Sequence, residues 1–544
     1  MLLRGILPVL SFLPAAFAAW GYTDDGSNYV VDTGASLVVK VSKTNGDMTS
    51  ILYNNVQYNG QSGKNSQVES GLGASTVSIS QYSSPAVIKV SIVYGTLKHW
   101  LVFRQNLPNV YIFVNKKDDS VTVQRYIVRI PDGVFTRQSD DTDWIPDGAS
   151  TIESGDVNGD SNGYTYSKHY TGLKYGRTID YDYVGYTKSG AGAFMIRCNR
   201  EKASGGPFFR SLQRRGGGGV DLYDIYWYSM GHTDPMRYGL HGYSTLAFTN
   251  GGAPDSSLFA KNTDTTWVNN LGIDGWVPTT GRGSVAAVGL KNMQSGFQYV
   301  AGLSNSAAQY WSVADSSSGY FKIANVLPGT YTLTIYKGEL EVSTSSVTVT
   351  AGQALALNSI TVTDPQDTTA IWRIGDWDGT PKGFLNFEDT PFKPTYMHPS
   401  DTRLKSWNPA NFIVGTTAVN GFPGYIWQDI NNDHLIYFRL TAAQIAASHT
   451  LRIGMTEGYI GGRPMISVNS YTPSLTPAQS EGGTRSLTVG TYRGNNHMLT
   501  WTIPASAWLT STSDWQILKL SVITGQTGSG YLSGGIAIDS VDLI

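Results

Sequence analysis

The chain has 544 residues, and a chain of this length is expected to divide into roughly two to four domains. Apolar residues make up 40% of the chain, as in an ordinary globular protein, but charged residues make up only 15%. The formal net charge of −2 gives no reason to expect nucleic acid or an anionic membrane as a partner. The 61 glycines, 32 tyrosines and 14 tryptophans indicate turn-rich β structure with aromatic surfaces.

Residues 1–18 have the pattern of a secretory signal peptide. Arg4 precedes an apolar run that ends in the small-residue pattern AFA, so cleavage after residue 18 and an extracellular protein are expected. The alternative is an apolar N-terminal strand. No later segment has the ~18 consecutive apolar residues of a membrane span. Cys198 is the single cysteine, which excludes an intramolecular disulfide in spite of the expected secretion.

Residues 19–265 show short alternating runs separated by glycine, asparagine, aspartate and serine, which predicts a first β domain. An Asn-Gly turn joins two of these runs near residue 46. The run VTVQRYIVRI alternates most clearly, and a period of two places these side chains on one face: Val121, Val123, Arg125, Ile127 and Arg129. Two arginines on an otherwise apolar face predict the floor of an anion-binding cleft, and a half-solvated edge strand is the alternative.

Two more β units are expected after a polar candidate linker at residues 249–267. Residues 270–365 alternate and turn at Pro328-Gly329 and Lys337-Gly338, which predicts a small immunoglobulin-like or fibronectin-like sandwich. Residues 370–544 form the third unit, in which only the segment LTAAQIAASH suggests a helix and strands close the chain. The expected fold class is therefore all-β, with three domains in series.

Motifs of several common enzyme classes are missing from the sequence. It contains no Walker loop, no dinucleotide fingerprint after a strand, and no HExxH, CxxC or GxSxG motif. A glycoside hydrolase stays open, because its carboxylate pair leaves no spacing signature. The segment DVNGDSNG, residues 156–163, offers oxygen ligands at every second position but lacks the central glycine and terminal glutamate of a calcium loop. It is therefore either a structural calcium site or an Asn/Asp-rich turn.

Two aromatic stretches carry basic residues. YTYSKHYTG places Lys168 and His169 among tyrosines, and YWYSMGH places three aromatics ahead of His232. A single lysine in a loop is usually solvated and a single histidine is usually structural. In the company of Arg125 and Arg129, however, they predict an acidic polysaccharide as substrate. The reaction would need a base but no hydrolytic carboxylate pair.

The chain resembles the fungal rhamnogalacturonan lyases of polysaccharide lyase family 4 from its mature N-terminus to its last strand. Matching stretches include YSKHYTG, SGGPFFR, YWYSMGH, YGLHG, IGDWDGTPKGF, MHPSDTR and GGRP, which together are specific. The resemblance implies a galactose-mutarotase-like β-sandwich lyase domain, a fibronectin type III-like domain and a C-terminal jelly-roll carbohydrate-binding-like domain.

The resemblance also implies roles for individual residues. The family's catalytic lysine matches Lys168 and its catalytic histidine matches His232. Arg129 joins the expected substrate-binding residues through its place on the strand face. The full substrate-binding set expected is Arg125, Arg129, Tyr226 and Tyr228.

β-Elimination of a uronate removes the C5 proton beside the carboxylate and expels the oxygen on C4. Arg125 can neutralise that carboxylate bidentately at any working pH. A lysine has an ordinary pKa of ~10.4, which is too high for a base, but nearby arginines and desolvation would lower the pKa of Lys168. His232 can protonate the departing oxygen, because the pKa of histidine lies near neutrality.

The expected function is that of a secreted lyase that cleaves the rhamnose–galacturonate α-1,4 bond of rhamnogalacturonan I and leaves an unsaturated galacturonate. Catalysis is expected to need no cofactor, and the protein is expected to be a monomer. Two alternatives stay open: a glycoside hydrolase, and a non-catalytic protein that binds cell-wall polysaccharide.

Overall fold

The structure is a computed structural model that describes most, but not all, of the chain. The described residues are 20–121, 124–135, 146, 148–153, 157–167, 177–198, 200–209, 214–215, 220–227, 235–366, 369–385, 401–402, 411–428, 431–459, 461–475, 496–523 and 534–544. Strands dominate these ranges, and the one α-helix in them, α1 (Ala442–Ile445), lies in the segment where the sequence suggests a helix. The all-β prediction is confirmed.

The N-terminal unit contains the first nineteen strands. Their bounds are β1 Gly21–Asp24, β2 Asn28–Asp32, β3 Leu37–Ser42, β4 Met48–Tyr53, β5 Val56–Gln57, β6 Gln67–Val68, β7 Thr76–Ser83, β8 Ala86–Tyr94, β9 Leu97–Arg104, β10 Asn109–Lys116, β11 Gln124–Ile130, β12 Ser150–Glu153, β13 Val157–Gly159, β14 Thr165–Ser167, β15 Tyr183–Lys188, β16 Ala191–Arg197, β17 Arg214–Arg215, β18 Val220–Trp227 and β19 Gly239–Thr249. The predicted Asn-Gly turn is present, because Gly46 has φ 77° between β3 and β4.

The strands of the N-terminal unit form four sheets in the described residues. Their orders are β1-β2-β3-β4-β5, β15-β16-β19-β10-β9-β8-β7, β17-β18-β11-β6 and β12-β13-β14. Every second side chain of β3 is fully buried, which is the period-two pattern of a strand with one face in a core. Apolar residues of the first three sheets meet in one hydrophobic core, so these sheets pack face to face as a sandwich.

The middle unit contains nine strands. They are β20 Gly283–Ala287, β21 Leu290–Lys291, β22 Tyr299–Ser304, β23 Gln309–Val313, β24 Phe321–Val326, β25 Gly329–Lys337, β26 Leu340–Val349, β27 Ala354–Leu357 and β28 Ile360–Thr361. They pair as β24-β20-β27, β21-β28 and β23-β22-β25-β26, around a core of their own. The turns expected at Pro328-Gly329 and Lys337-Gly338 separate β24 from β25 and β25 from β26.

The C-terminal unit contains the last nine strands. They are β29 Trp372–Gly375, β30 Phe412–Ile413, β31 Tyr425–Trp427, β32 His434–Phe438, β33 His449–Tyr459, β34 Arg463–Val468, β35 His497–Ile503, β36 Gln516–Ile523 and β37 Gly535–Leu543. One sheet has the order β29-β37-β33-β35 with β31 on β37, and the other has the order β30-β32-β36-β34. Their inner faces share a third core, as in a jelly-roll sandwich.

Short 3-10 turns complete the described secondary structure. They are Gln61–Gly63, Thr178–Asp180, Ser256–Leu258, Thr266–Val268, Thr279–Gly281, Val419–Gly421 and Ala505–Ala507. Among the described residues, no helix is both long and apolar enough to cross a membrane.

The polar stretch 249–267 does not act as a free linker at its C-terminal end. Trp267 is 6% exposed and stacks near Tyr111 and Tyr243 of the N-terminal unit, with ring centroids 4.8 and 5.5 Å away. Val268 is buried in the same cluster. Burial of a large aromatic ring outweighs the polar composition of the segment that precedes it, so this end docks on the sandwich. The domain boundaries expected at 265, 270, 365 and 370 stay predictions.

A buried ion pair joins the N-terminal and middle units. Glu201 accepts hydrogen bonds from Arg282 Nη1 at 2.7 Å and from the Tyr310 hydroxyl at 2.7 Å. The side chains of Glu201 and Arg282 are each only 7% exposed. Burial raises the pKa of Tyr310, and the charge of Glu201 raises it further, so the phenol stays a donor. Removal of one member of a buried ion pair is strongly destabilising, because the other charge is left buried without a partner.

We therefore expect Glu201→Ala to lower the free energy of unfolding by about 3–5 kcal/mol, because it leaves the Arg282 guanidinium buried without its carboxylate. Urea denaturation followed by tryptophan fluorescence measures the change. Lys261→Ala is the control, since its ion pair with Asp182 lies at the surface and its side chain is 68% exposed. Equal stability of the two variants would contradict the prediction.

Candidate active site

The two arginines predicted to line a cleft lie on one face of an interior strand. Arg125 pairs with Ile225 and Arg129 with Asp221 across β11 and β18, and Ile127 lies between them opposite Tyr223. On its other side β11 pairs with β6. The alternative of a half-solvated edge strand is therefore wrong, because β11 has a neighbour on each side. Ile127, Tyr223 and Ile225 form a small apolar cluster between the arginines.

Arg129 is held by a carboxylate of the neighbouring strand. Its Nη1 atom lies 3.0 Å from Asp221 Oδ2, and the Tyr223 hydroxyl donates to the same oxygen at 3.2 Å. The Asp221 side chain is fully buried and the Arg129 side chain is 11% exposed. A carboxylate so placed needs the guanidinium to offset its desolvation. The positive charge of Arg129 is therefore largely neutralised before any substrate binds.

Arg125 has weaker contacts with neighbouring carboxylates than Arg129 has. Its Nη2 atom donates to Ser70 Oγ at 2.9 Å, and Glu69 Oε1 lies 3.9 Å from the same nitrogen, which is too long for a good hydrogen bond. The side chain is 20% exposed. Of the two arginines, Arg125 has the greater freedom to form a bidentate pair with a substrate carboxylate.

Buried guanidinium donors without a partner in the described ranges occur on the arginine face and on β16 of another sheet. The Nε atoms of Arg125 and Arg129 are buried, and neither has a hydrogen-bond partner within the described ranges. The same holds for all three guanidinium nitrogens of Arg197, which is 4% exposed and stacks on Tyr181 at 4.6 Å. Buried donors are normally paired, so these nitrogens are candidates for contact with an anionic ligand. Arg197 is noticeable only in the structure, since one arginine at the end of an apolar strand has no distinguishing sequence pattern.

Tyr226 is a buried residue of the N-terminal unit. Its ring is 3% exposed, and its hydroxyl lies 2.6 Å from Ser244 Oγ on β19. The ring therefore faces the interior of the sandwich. Alternation along β18 is the reason: Asp224 and Tyr226 both contact Ser244, so they lie on the opposite face from Ile225, which pairs with Arg125. Tyr226 is also the extra residue of a bulge, since Gln124 pairs with Trp227 but Arg125 pairs with Ile225.

A charged network lies beneath this bulge. Asp224 accepts hydrogen bonds from Arg200 and from the Ser244 hydroxyl, and the Arg200 guanidinium lies 4.8 Å above the Tyr226 ring. Burial, with Asp224 nearby, raises the pKa of Tyr226 well above its ordinary value. Burial also lowers the pKa of the adjacent His241 to about 3, so its imidazole stays neutral. This network supports the strand that precedes His232, and the substrate-binding role expected for Tyr226 stays a prediction.

Lys168, His169, Tyr228 and His232 lie outside the described residues, and the roles expected for them stay predictions. The strands that lead to them are described: β14 ends at Ser167, directly before Lys168, and β18 ends at Trp227, directly before Tyr228. Both predicted catalytic residues thus follow strands of the N-terminal unit.

The C-terminal unit contacts the hairpin that leads to Lys168. Asp401 is 3% exposed, and its Oδ2 atom accepts hydrogen bonds from the backbone N–H and the hydroxyl of Thr165 at 2.8 and 2.9 Å. The backbone N–H of Thr402 donates to the carbonyl of Gly163 at 3.0 Å. Asp401 lies in the MHPSDTR stretch, so this part of the C-terminal unit helps to position the strand before the predicted base.

The candidate calcium loop forms a tight turn between β13 and β14. The Oδ1 atom of Asp160 accepts from the backbone N–H groups of Asn162 and Tyr164, both at 2.9 Å. This is how an aspartate stabilises a turn. Within the described ranges, no group of three or more His, Cys, Asp or Glu residues is arranged to hold a metal ion. Asp156 lies outside those ranges, and the structural calcium ion stays a prediction.

Comparison with known families gives three matches that follow one another along the chain. Residues 20–275 match the family model described as "Rhamnogalacturonan lyase B, N-terminal". Residues 279–357 match "Polysaccharide lyase family 4, domain II", and residues 370–543 match "Polysaccharide lyase family 4, domain III", which is labelled CBM-like.

Curated relatives match over the whole chain. The probable rhamnogalacturonate lyase A of Aspergillus clavatus is 36% identical and covers 99% of both chains. The rhamnogalacturonate lyase A of Aspergillus aculeatus is 36% identical over 100% of both chains, and that of Emericella nidulans is 35% identical over 97% of this chain and 96% of its own. Among solved structures, an insecticidal delta-endotoxin of Bacillus thuringiensis is 10% identical with a TM-score of 0.18, covering 57% of this chain and 49% of its own, which carries no argument. The chain belongs to polysaccharide lyase family 4.

Proposed function

We propose that the chain is a rhamnogalacturonan endolyase. It acts on a pectin-type polysaccharide and cleaves the α-1,4 bond between rhamnose and galacturonate of rhamnogalacturonan I by β-elimination. Support comes from the full-length relatives, which are named rhamnogalacturonate lyases. The structural observation that carries the proposal is the arginine face of β11, where Arg125 is partly exposed and its buried Nε atom lacks a partner within the described ranges.

Each step of the proposed β-elimination is assigned to one side chain. Arg125 pairs with the galacturonate carboxylate and offsets the second negative charge that develops when C5 loses its proton. Lys168, deprotonated, takes that proton. The electron pair of the C5–H bond forms the C4–C5 double bond, the C4–O4 bond breaks, and His232 donates a proton to the departing rhamnose oxygen.

The decisive experiment is incubation of the full-length protein with deacetylated rhamnogalacturonan I. We expect near-ultraviolet absorbance to rise as unsaturated galacturonate forms at the new non-reducing ends. Shortened chains without that absorbance would indicate a glycoside hydrolase and would overturn the proposal. Binding without any shortening would indicate the non-catalytic alternative.

Catalysis by lysine and arginine uses protein charges where some enzymes use a metal ion to stabilise developing negative charge. We therefore expect exhaustive chelation to leave most of the lyase activity intact, while thermal stability falls if residues 156–163 hold calcium. Activity and melting temperature are measured on the same chelated sample. Complete loss of activity that calcium restores would contradict this expectation.

We also propose that the protein is secreted after removal of residues 1–18 and works as a monomer without nucleic acid or membrane partners. The basic-apolar-small pattern of these residues supports secretion. N-terminal sequencing of protein from culture medium should begin at Ala19, and sedimentation should give the mass of one chain. Secreted protein that still carries residues 1–18 would contradict the proposed cleavage. A mass of two chains would contradict the proposed monomer.

A further inference from the structure

A large cleft lies where the three units meet. Its volume is about 820 Å³, which falls in the range of small-ligand sites. The loop 205–208 of the N-terminal unit, the outer face of the β23-β22-β25-β26 sheet and residues 496–498 of the C-terminal unit contribute to its wall. None of the described residues of the arginine face of β11 lines it.

The cleft has a flat floor with aromatic sides. Gly302 on β22 pairs with Trp311 on β23 and with Thr334 on β25, so these residues share the outer face of the sheet. A Cβ at Gly302 would lie 3.2 Å from Cε2 of the Tyr336 ring, so that ring lies over the strand. Phe208 packs edge-on against Tyr336, with centroids 5.0 Å apart at 86°. Trp311 is half-buried and, within the described ranges, makes no ring stack or side-chain hydrogen bond.

Several polar groups on the same wall have no hydrogen-bond partner within the described ranges. Glu341 and Thr332 are exposed to the cleft, and neither side chain has a hydrogen-bond partner in the part of the chain that the structure describes. Asn496 donates to the Glu339 carbonyl at 2.9 Å, but its Oδ1 atom is buried and unpartnered within the described ranges. A buried acceptor without a partner is uncommon, and a ligand hydroxyl would satisfy it.

The described wall of the cleft carries little free charge, in contrast to the arginine face. Its described residues include no lysine or arginine. Of its carboxyl groups, Glu339 lies 3.6 Å from Arg177, and burial raises the pKa of Asp539 well above its ordinary value. Arg237, beside the wall, is engaged because it donates to Ser304 Oγ at 2.9 Å. An acidic sugar chain would find no lysine or arginine to pair with among these residues, whereas a neutral one would meet aromatic faces, hydroxyls and acceptors.

We infer that this inter-domain cleft is a non-catalytic binding site for neutral oligosaccharide. The choice of a sugar as ligand rests on the proposed function, in which the substrate is a polysaccharide. The cleft would bind uncharged parts of that polymer. The protein then has two carbohydrate sites that differ in charge, one cationic and one with little free charge. The arginine face receives the acidic backbone, and the cleft receives neutral sugars through stacking on Trp311 and hydrogen bonds to Glu341 and Asn496.

Calorimetric titration of the full-length protein with β-1,4-galactotetraose, a neutral chain, tests the inference. We expect saturable binding whose affinity does not change with salt, because no charge pair forms. Trp311→Ala should weaken it about tenfold through loss of a stacking face. Trp311 also lines a neighbouring pocket of about 630 Å³, whereas Thr332 lines the cleft and not that pocket. Thr332→Phe, which fills the cleft from an exposed position, should therefore weaken binding at least as much. Tyr320→Ala is the matched control, an aromatic of the same unit that is 47% exposed and outside the cleft.

Each outcome decides the inference. Loss of binding in both cleft variants, with normal binding in Tyr320→Ala, supports it. Absence of binding in the wild type, or equal binding in all variants, overturns it, as does competition by an unbranched acidic rhamnogalacturonan oligomer. Lyase activity on unbranched polymer is measured in parallel and should be unchanged in the cleft variants. Absence of that activity in the wild type would count against the proposed function alone.

Discussion

Replacing Lys168 or His232 with alanine should reduce turnover by about 10²–10⁴-fold and leave oligosaccharide binding nearly unchanged, because a base and an acid act only in the transition state. Initial rates of near-ultraviolet absorbance give kcat, and calorimetry with an uncleaved oligomer gives the binding affinity. The double variant should be little worse than the poorer single variant, since residues that act as a unit are not additive.

His169 is the internal control for the assignment of the base. It neighbours Lys168 and, if the local strand alternation continues, its side chain points to the opposite side. His169→Ala should therefore keep most of the activity. If His169→Ala abolished turnover while Lys168→Ala retained a substantial fraction, the assignment carried over from the family would fail at its central residue.

The two arginines of β11 should respond differently to substitution. Arg125→Ala should lower kcat/KM by about 10²–10³-fold with normal stability, because this side chain grips the substrate carboxylate and also stabilises the charge that develops beside it. Arg129→Ala should instead lower the free energy of unfolding by about 3–5 kcal/mol, because the fully buried Asp221 loses its cation. Steady-state kinetics and urea denaturation of each variant separate the two effects.

A compensated variant sharpens this comparison. The pair Arg129→Met with Asp221→Leu removes both charges together, so stability should return to near that of the wild type. If activity returned with it, Arg129 would act through the fold. If activity stayed low in the stable variant, Arg129 would contact substrate. Normal kcat/KM in Arg125→Ala would contradict its assigned role.

Local pattern was sufficient for much of this protein. The period of two in residues 121–130 correctly grouped Arg125, Ile127 and Arg129 on one face, because a strand alternates its side chains wherever it lies in a sheet. Glycine turns such as Gly46 and Gly338 were found because positive φ angles favour glycine. Family membership was also recognisable, because its motifs are spread along the whole chain.

Other features depend on distant parts of the chain and were beyond the sequence. Alternation places Tyr226 on the same face of β18 as Asp224, but no local pattern reveals that this face is buried against Ser244 of β19. The neutralisation of Arg129 by Asp221 joins residues 92 positions apart. The contact of Asp401 with Thr165 spans 236 positions.

Sequence alone thus determined the fold class, the turns, the family and the residue types of the candidate site, because these follow from patterns within a few residues. Tertiary structure alone decided which arginine is paired with a fully buried carboxylate, which aromatic ring is buried, and where the three units form a cleft. Pairing register, burial and charge neutralisation are set by contacts between strands that lie far apart in the chain, and those contacts exist only after folding.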